Sequence, residues 1–303
     1  MTTEQVKSII DQLEILKVNS VSFTGGEPTL RKDLPELIKY IGKNYSFYTG
    51  VATNGFLLPK LLKKYPFDGL DYILISLDFP NAKLHDRYRG IKLFDKAIEG
   101  IKIAQDRGIN VIISTVVMKE NLNLMEDMVS LANDLNCTIE ILPVEDIIRE
   151  INGKVYRIEN INDFIPDINI WGSNVLKLRK KYSNMVTDLY TVLIIENGGF
   201  GGAPAYYQNF LRCHVARSYI FVRQDGKVDY PCKLHPLYSL NALKIPLSKI
   251  YRSKEVYEIM EKHDDYNFCD RCRLGCAIAT SIPTSLKLLY EKYLSAYLRG
   301  NLR

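Results

Sequence analysis

The feature that most constrains this chain is the regular alternation of short β-type runs with helical stripes over its first half. Apolar-rich runs occur at SVSFT (20–24), FYTGVATNG (47–55), DYILISLDF (71–79), NVIISTVVM (110–118) and TIEILPV (138–144). Between them lie helical patterns: Val6, Ile9, Ile10, Leu13 and Leu16 before the first run, then Leu37, Ile38 and Ile41, then a short PKLLKKY stretch. Phe94, Ala97, Ile98 and Ile101, closed by Gly108, mark the next helix, and Met125, Met128, Leu131 and Leu135 the last. Parallel strands need a crossover of a dozen or so residues, usually a helix, so this rhythm predicts five strands in parallel βα units. Asp33 and Glu36 bracket one helix start, with Pro35 tolerated in its first turn. DYILISLDF is continuous enough to predict a strand covered on both faces.

A chain of 303 residues, 47% hydrophobic and 25% charged, can bury a real core, which excludes disorder as the default. Its net charge is 40 minus 35, or +5, with the basic residues spread along the sequence, so no nucleic-acid partner is called for. No run of about 18 apolar residues occurs, and MTTEQVKSIIDQL reads as an amphipathic helix rather than a signal peptide. The expectation is a cytoplasmic protein without a transmembrane segment, whose clustered cysteines bind metal rather than pair as disulfides.

From about Glu145 the rhythm breaks, with one helix expected near Val175–Tyr182 in an otherwise irregular stretch. Order returns at CHVARSYIFVRQDGKVDYPCKL (213–234), where two alternating runs flank Asp225-Gly226, a hairpin signal that would fold Cys213 and Cys232 toward one end. The domain reading is therefore 1–144, a connecting and substrate-contact region 145–210, a cysteine-bearing domain 211–280, and a C-terminal helix 281–303. That helix carries Leu286, Leu289, Tyr290, Tyr293, Leu294 and Tyr297 on one side and is expected to dock on its own domain.

In parallel α/β folds ligands gather at the carboxyl ends of the strands, and the polar junctions of this chain fall there. Gly25 and Gly26 remove Cβ atoms and let a ligand approach the backbone. Pro28 pushes Glu27 toward an extended conformation, which should aim its carboxylate away from the following helix. A fixed anion at that rim suits an ammonium or hydroxyl partner and repels phosphate. Thr53-Asn54-Gly55 ends the next strand, and Ser76-Leu77-Asp78 the one after, with HDRYRG (85–90) close behind. Ser76 and Asp78, two apart on a strand, share a face.

With FTGGEPTLR, ATNG, ISLDF followed by HDRYRG, and VVMKENL in this order, the chain resembles the radical S-adenosylmethionine (SAM) enzymes over roughly residues 3–144. The likeness is to the branch containing molybdopterin-precursor synthase, PqqE and peptide-modifying enzymes with auxiliary clusters. The resemblance implies a partial (β/α)6 TIM-type barrel, α/β in class, of which five strands are visible here and the first is absent. It implies that Gly25, Gly26 and Glu27 hold the methionyl amino group of SAM, and that Thr53, Asn54, Ser76, Asp78 and Arg89 serve its ribose and carboxylate. It further implies generation of a 5′-deoxyadenosyl radical and an electron donor such as ferredoxin or flavodoxin. The family's CxxxCxxC loop, which holds the [4Fe-4S] cluster that reduces SAM, does not occur in these 303 residues. The expectation is an N-terminal truncation, with a non-catalytic barrel keeping one metal site as the alternative.

Cys213, Cys232, Cys269, Cys272 and Cys276 offer five thiolates, while Cys137 stands alone in an apolar setting. Thiolates prefer iron-sulfur clusters or zinc, and the spacing leaves a zinc ribbon and a cluster both open. The resemblance turns the choice toward iron. The CHVARSYIFVRQDGKVDYPC and FCDRCRLGC pattern looks like the auxiliary-cluster module of twitch or SPASM enzymes, a small α+β domain, and implies a single auxiliary [4Fe-4S] center with one cysteine spare. The substrate, whether peptide, lipid or small metabolite, carries no readable motif.

Overall fold

The computed structural model describes residues 1–145, 149–151, 154–156, 159–200, 212–262, 266, 269 and 272–281. The chain divides into two compact units, residues 1–144 with 163–187, and residues 145–162 with 188–303.

In the first unit, helices and strands alternate in the order α1 (Thr3–Ile15), β1 (Ser20–Phe23), α2 (Leu34–Asn44), β2 (Tyr48–Thr53), α3 (Leu58–Lys64), β3 (Tyr72–Ser76), α4 (Ala82–Arg89), α5 (Phe94–Asp106), β4 (Asn110–Val117), α6 (Met125–Asp134) and β5 (Thr138–Pro143). All strand pairs are parallel and lie in the sequence order β1-β2-β3-β4-β5. Because the order never reverses, right-handed crossovers place every helix on one side of the sheet, and the sheet curls as part of a barrel.

Side-chain period decides which residues meet the helices. Odd-numbered positions of the central strands, such as Ile73, Ile75, Ile113, Ile139 and Ile141, are fully buried on the helix side. Val21 and Phe23 of β1 pack against a cluster of Val6, Ile10, Leu37, Ile41 and Phe47, which seats α1 and α2. Even-numbered positions occupy the inner face and are half-buried or exposed, with the exception of Gly50. The expectation that 71–79 is covered on both faces is therefore corrected: Tyr72, Leu74 and Ser76 are only half-buried, and no described helix packs on their side. The floor of that face is aromatic. Tyr72, paired with Gly50, stacks on Tyr48 with ring centroids 5.1 Å apart, and a Cβ on Gly50 would lie 2.0 Å from the Tyr72 ring.

Two helix starts use different caps. Thr2 and Gln5 form a reciprocal capping box on α1. Asp33 precedes α2 without capping it, its carboxylate being taken instead by the Thr3 hydroxyl at 2.5 Å and the Arg31 guanidinium at 2.7 Å. Those donors hold the Asp33 carboxyl below the usual carboxylate range despite the opposing cost of burial.

The βα rhythm also outlasts Glu145. Helix α7 (Ile168–Lys181) starts earlier than its periodicity indicated, because Asp167 caps it through the N–H groups of Asn169 and Ile170. Beyond α7 the chain runs parallel beside β5, bridging Met185 to Ile139, with Val186 N–H donating to Ile139 C=O at 2.9 Å and Ile141 N–H to the Thr187 hydroxyl at 2.8 Å.

In the second unit, β6 (Arg149–Ile151) and β7 (Lys154–Tyr156) form an antiparallel pair, and α8 (Leu189–Glu196) follows an Asp188 cap. The hairpin reading of 213–234 needs correction. Gly226 makes the turn, at φ +83°, but the run before it contributes only one bridge, Val222 to Val228. The main antiparallel ladder instead joins β8 (Lys227–Pro231) to β9 (Pro236–Asn241), so Cys232 sits at a second turn rather than at the end of the first hairpin. The expected C-terminal helix at 281–303 lies, beyond Ser281, outside the described residues. No described helix is long and apolar enough to cross a membrane.

Candidate functional site

The carboxyl ends of β1 and β2 are joined by one side chain. Glu27 is extended (φ −147°, ψ 104°) as the following proline requires, yet its carboxylate turns back onto the chain and caps a 3-10 turn at Pro28–Leu30, contrary to the outward aim expected for it. Oε1 accepts from the Thr29 N–H at 3.1 Å, the Thr29 hydroxyl at 2.5 Å and the Thr53 hydroxyl at 2.7 Å, while Oε2 accepts from the Asn54 N–H at 2.8 Å. A carboxylate offers about four lone-pair positions, so Glu27 is nearly saturated by its own protein. Thr29 and Thr53 are buried, which makes these bonds costly to lose. Just before this knot, Gly25 has φ +138°, a conformation that favours glycine. A Cβ built on Gly25 or Gly26 meets nothing within 4 Å, so the rim above the sheet is open there.

A second knot forms at the end of β3. Asp78 is buried, its carboxylate paired with Arg89 at 2.6 Å and accepting the Val116 N–H at 3.2 Å. Its backbone is fixed as well: Asp78 N–H donates to His85 Nδ1 at 3.3 Å, and Asp78 C=O accepts from Asn121 Nδ2 at 2.8 Å. His85 is fully buried against Phe94, and burial lowers its pKa, so the ring is neutral with the proton on Nε2. That Nε2 has no partner among the described residues. Asn121 also accepts the Met118 N–H and donates to Val116 C=O, tying the tips of β3 and β4 together.

The sequence-derived rim residues thus fall into two bonded groups. Glu27, Thr53 and Asn54 meet directly, as do Asp78 and Arg89; among the described residues no hydrogen bond links the two groups. Ser76 stands on the inner face of β3, and its hydroxyl has no hydrogen-bond partner among the described residues. Thr29, His85 and Asn121 were not singled out from sequence. Their signal was proximity: each lies within the strand-end motifs that were.

In the second unit the described cysteines form no disulfide. Cys213 is buried, and Cys232, Cys269 and Cys272 are half-buried; the side chain of Cys276 lies outside the described residues. Burial pushes the Cys272 thiol up to about 12, with further lift from nearby Cys213, Glu145 and Cys232. Cys232 is also raised by burial, against the pull of the His235 and Leu234 backbone N–H groups. Glu145 in turn accepts the Gly275 N–H at 2.8 Å. Among the described residues no three His, Cys, Asp or Glu side chains converge on a single point as ligands of one metal ion. Cys137, in the first unit, is buried, and burial raises it to about 11.

Comparison with known proteins agrees with this architecture. The family model described as "Radical SAM superfamily" matches residues 1–132. A probable GTP 3′,8-cyclase of Pyrococcus horikoshii is 34% identical over 146 residues, covering 48% of this chain and 47% of that protein. An Fe-coproporphyrin III synthase of Methanosarcina barkeri is 37% identical over 124 residues, 40% of this chain and 31% of that protein. The chain therefore spans about half the length of the first curated relative and about a third of the second. Among solved structures, anSMEcpe with bound AdoMet superposes with a TM-score of 0.63 at 17% identity, covering 100% of this chain and 87% of that one, which shows a shared fold. Over residues 1–132, somewhat under half of its length, the chain is thus similar to the radical SAM superfamily.

Proposed function

We propose that this chain is part of a radical SAM enzyme whose rim at β1, β2 and β3 binds SAM. The observation that carries the reading is the coincidence of preorganisation and vacancy at one strand edge. Two buried-threonine and buried-aspartate knots fix the tips of β1 to β4, while Gly25, Gly26 and the unpartnered Ser76 hydroxyl leave space and hydrogen-bonding capacity on the inner side. Glu27 serves this site by tying the turn at Thr29 to the Thr53-Asn54 strand end, and Gly25 and Gly26 offer their peptide groups to the methionyl ammonium. Asn54 and Ser76 are left to meet the ribose hydroxyls. Arg89, two-thirds covered by its neighbours and held by Asp78, supplies fixed positive charge for the carboxylate of SAM.

When bound and reduced, the family's cluster supplies the electron that splits SAM and yields a carbon radical able to abstract hydrogen. The polypeptide's part is to orient SAM, keep water out and position the substrate. Cys213, Cys232, Cys269, Cys272 and Cys276 are proposed as ligands of one auxiliary [4Fe-4S] cluster, one of the five being spare. Cys213 and Cys232 both lie near enough to act on the charge of Cys272, which supports a shared site.

The test is equilibrium dialysis of the anaerobically prepared protein against labelled SAM, with Ser76→Ala and Arg89→Ala beside the parent. Saturable binding weakened by both substitutions is expected. No saturable binding by the parent would overturn the assignment. Iron and acid-labile sulfide in equal amounts, with zinc absent, is the outcome expected for the cysteine site.

A further inference from the structure

One acid on the inner face is used by none of this. Ser76, Ser114 and Glu140 are register partners on the adjacent strands β3, β4 and β5, so they form one polar rung across the sheet. Around it the even-numbered positions are mostly apolar: Leu74 and Ile112 below, Val116 and Leu142 above. The only hydrogen bond to the Glu140 carboxylate among the described residues is from the Ser114 hydroxyl to Oε2, at a long 3.4 Å.

That isolation contrasts with the pairing of three other covered acids among the described residues. Glu27 receives four hydrogen bonds, and Asp78 an arginine and a backbone N–H. Asp229 takes Arg223 at 3.2 Å and the Ser239 hydroxyl at 2.5 Å. Glu140 is half-buried with no basic partner among the described residues, and burial raises its pKa above the usual glutamate range. A partly desolvated carboxylate with a single long hydroxyl donor is unfavourable in the free protein, and an incoming cation relieves that cost.

We propose that Glu140 is a substrate-recognition residue, taking an ammonium or amidinium group carried on an apolar body that lies against Leu74, Ile112, Val116 and Leu142. Strand spacing of about 4.8 Å puts Glu140 roughly 10 Å across the sheet from Ser76. That distance makes it a neighbour of the SAM site rather than a part of it; this placement rests on the SAM reading above, whereas the cation preference of Glu140 does not. Anionic ligands are disfavoured at this rung.

The experiment follows carboxyl resonances of the full chain labelled with 13C at glutamate Cδ, with Glu140 assigned by its loss in Glu140→Gln. Benzylamine and benzamidine are titrated as the ammonium and amidinium probes, and benzyl alcohol and benzoate as neutral and anionic controls. A saturable shift of the Glu140 resonance is expected with at least one cation and with neither control, and Glu140→Gln should bind that cation at least tenfold more weakly. The stronger of the two cations identifies the source. Its SAM affinity should stay within twofold of the parent. Absence of a saturable shift in the parent, or equal binding of cation and alcohol, overturns the proposal without recourse to the variant. A tenfold loss of SAM affinity in Glu140→Gln also overturns it, by moving the residue into the SAM site. If the parent fails to bind SAM, the SAM reading falls while the cation titration still decides the role of Glu140.

Discussion

Substitution of Glu27 separates a structural knot from a ligand contact. Glu27→Ala removes the acceptor for two backbone N–H groups, Thr29 and Asn54, and for two threonine hydroxyls. The hydroxyls can rotate toward other acceptors, but the amides cannot. Each orphaned amide costs about 1–3 kcal/mol when buried, and the half-buried setting of Glu27 lets water recover part of it, giving an expected loss of about 2–4 kcal/mol. Glu27→Gln behaves differently. Its oxygen can keep the Asn54 N–H while its NH2 donates to the hydroxyls of Thr29 and Thr53, so only the Thr29 N–H loses its acceptor, and about 1–2 kcal/mol is expected. Trp171, the single tryptophan of the chain, is fully buried in α7 of the same unit, so its fluorescence reports unfolding in urea. SAM dialysis of both variants under native conditions completes the comparison. A Glu27→Ala cost below about 0.5 kcal/mol, together with a tenfold or greater loss of SAM affinity in both variants, would refute the knot and make Glu27 a direct ligand.

Gly50→Ala should destabilise the first unit by about 1–3 kcal/mol through overpacking against the Tyr72 ring, and Tyr72→Leu in the same chain should recover much of that loss in urea melts. Glu140 has a raised pKa, so ionising it costs the folded state stability; relative to the parent, Glu140→Gln should gain stability as pH rises from about 4 to about 7, measured as a difference in unfolding free energy. A flat difference would mean the carboxyl is better solvated than the structure shows. Cys137, with its thiol raised to about 11, should resist iodoacetamide near about pH 8 in the folded protein and react once urea unfolds it, as read by peptide mass mapping.

The parallel sheet was legible because its signal is local: five β-type runs with crossover stripes between them leave little choice of topology. The rim motifs were legible for the same reason, each being a short string at a strand end. What escaped was cooperation between strings. Nothing in GGEP says that the carboxylate of Glu27 will be consumed by Thr29, Thr53 and Asn54, because two of those partners lie more than 25 residues away. Likewise TIEILPV announces an acid in a strand, but only its register with Ser114 and Ser76 shows that the acid shares a rung with the proposed ligand edge. The return of the chain beside β5 at 184–187 was invisible because one bridge and a threonine hydroxyl, rather than a run of alternating residues, make the pairing. The hairpin error at Asp225-Gly226 has a related cause. The turn forms as its residues dictate, but turn chemistry does not fix how far the flanking segments stay paired.

The phenol pair of Tyr48 and Tyr72, with the Tyr72 ring lying over a bare glycine, builds up the amino ends of β2 and β3 with stacked rings. Toward the carboxyl ends the rings give way to the smaller Ala52 and to Leu74, so the lining of these two strands is tallest where they begin and steps down toward their polar tips.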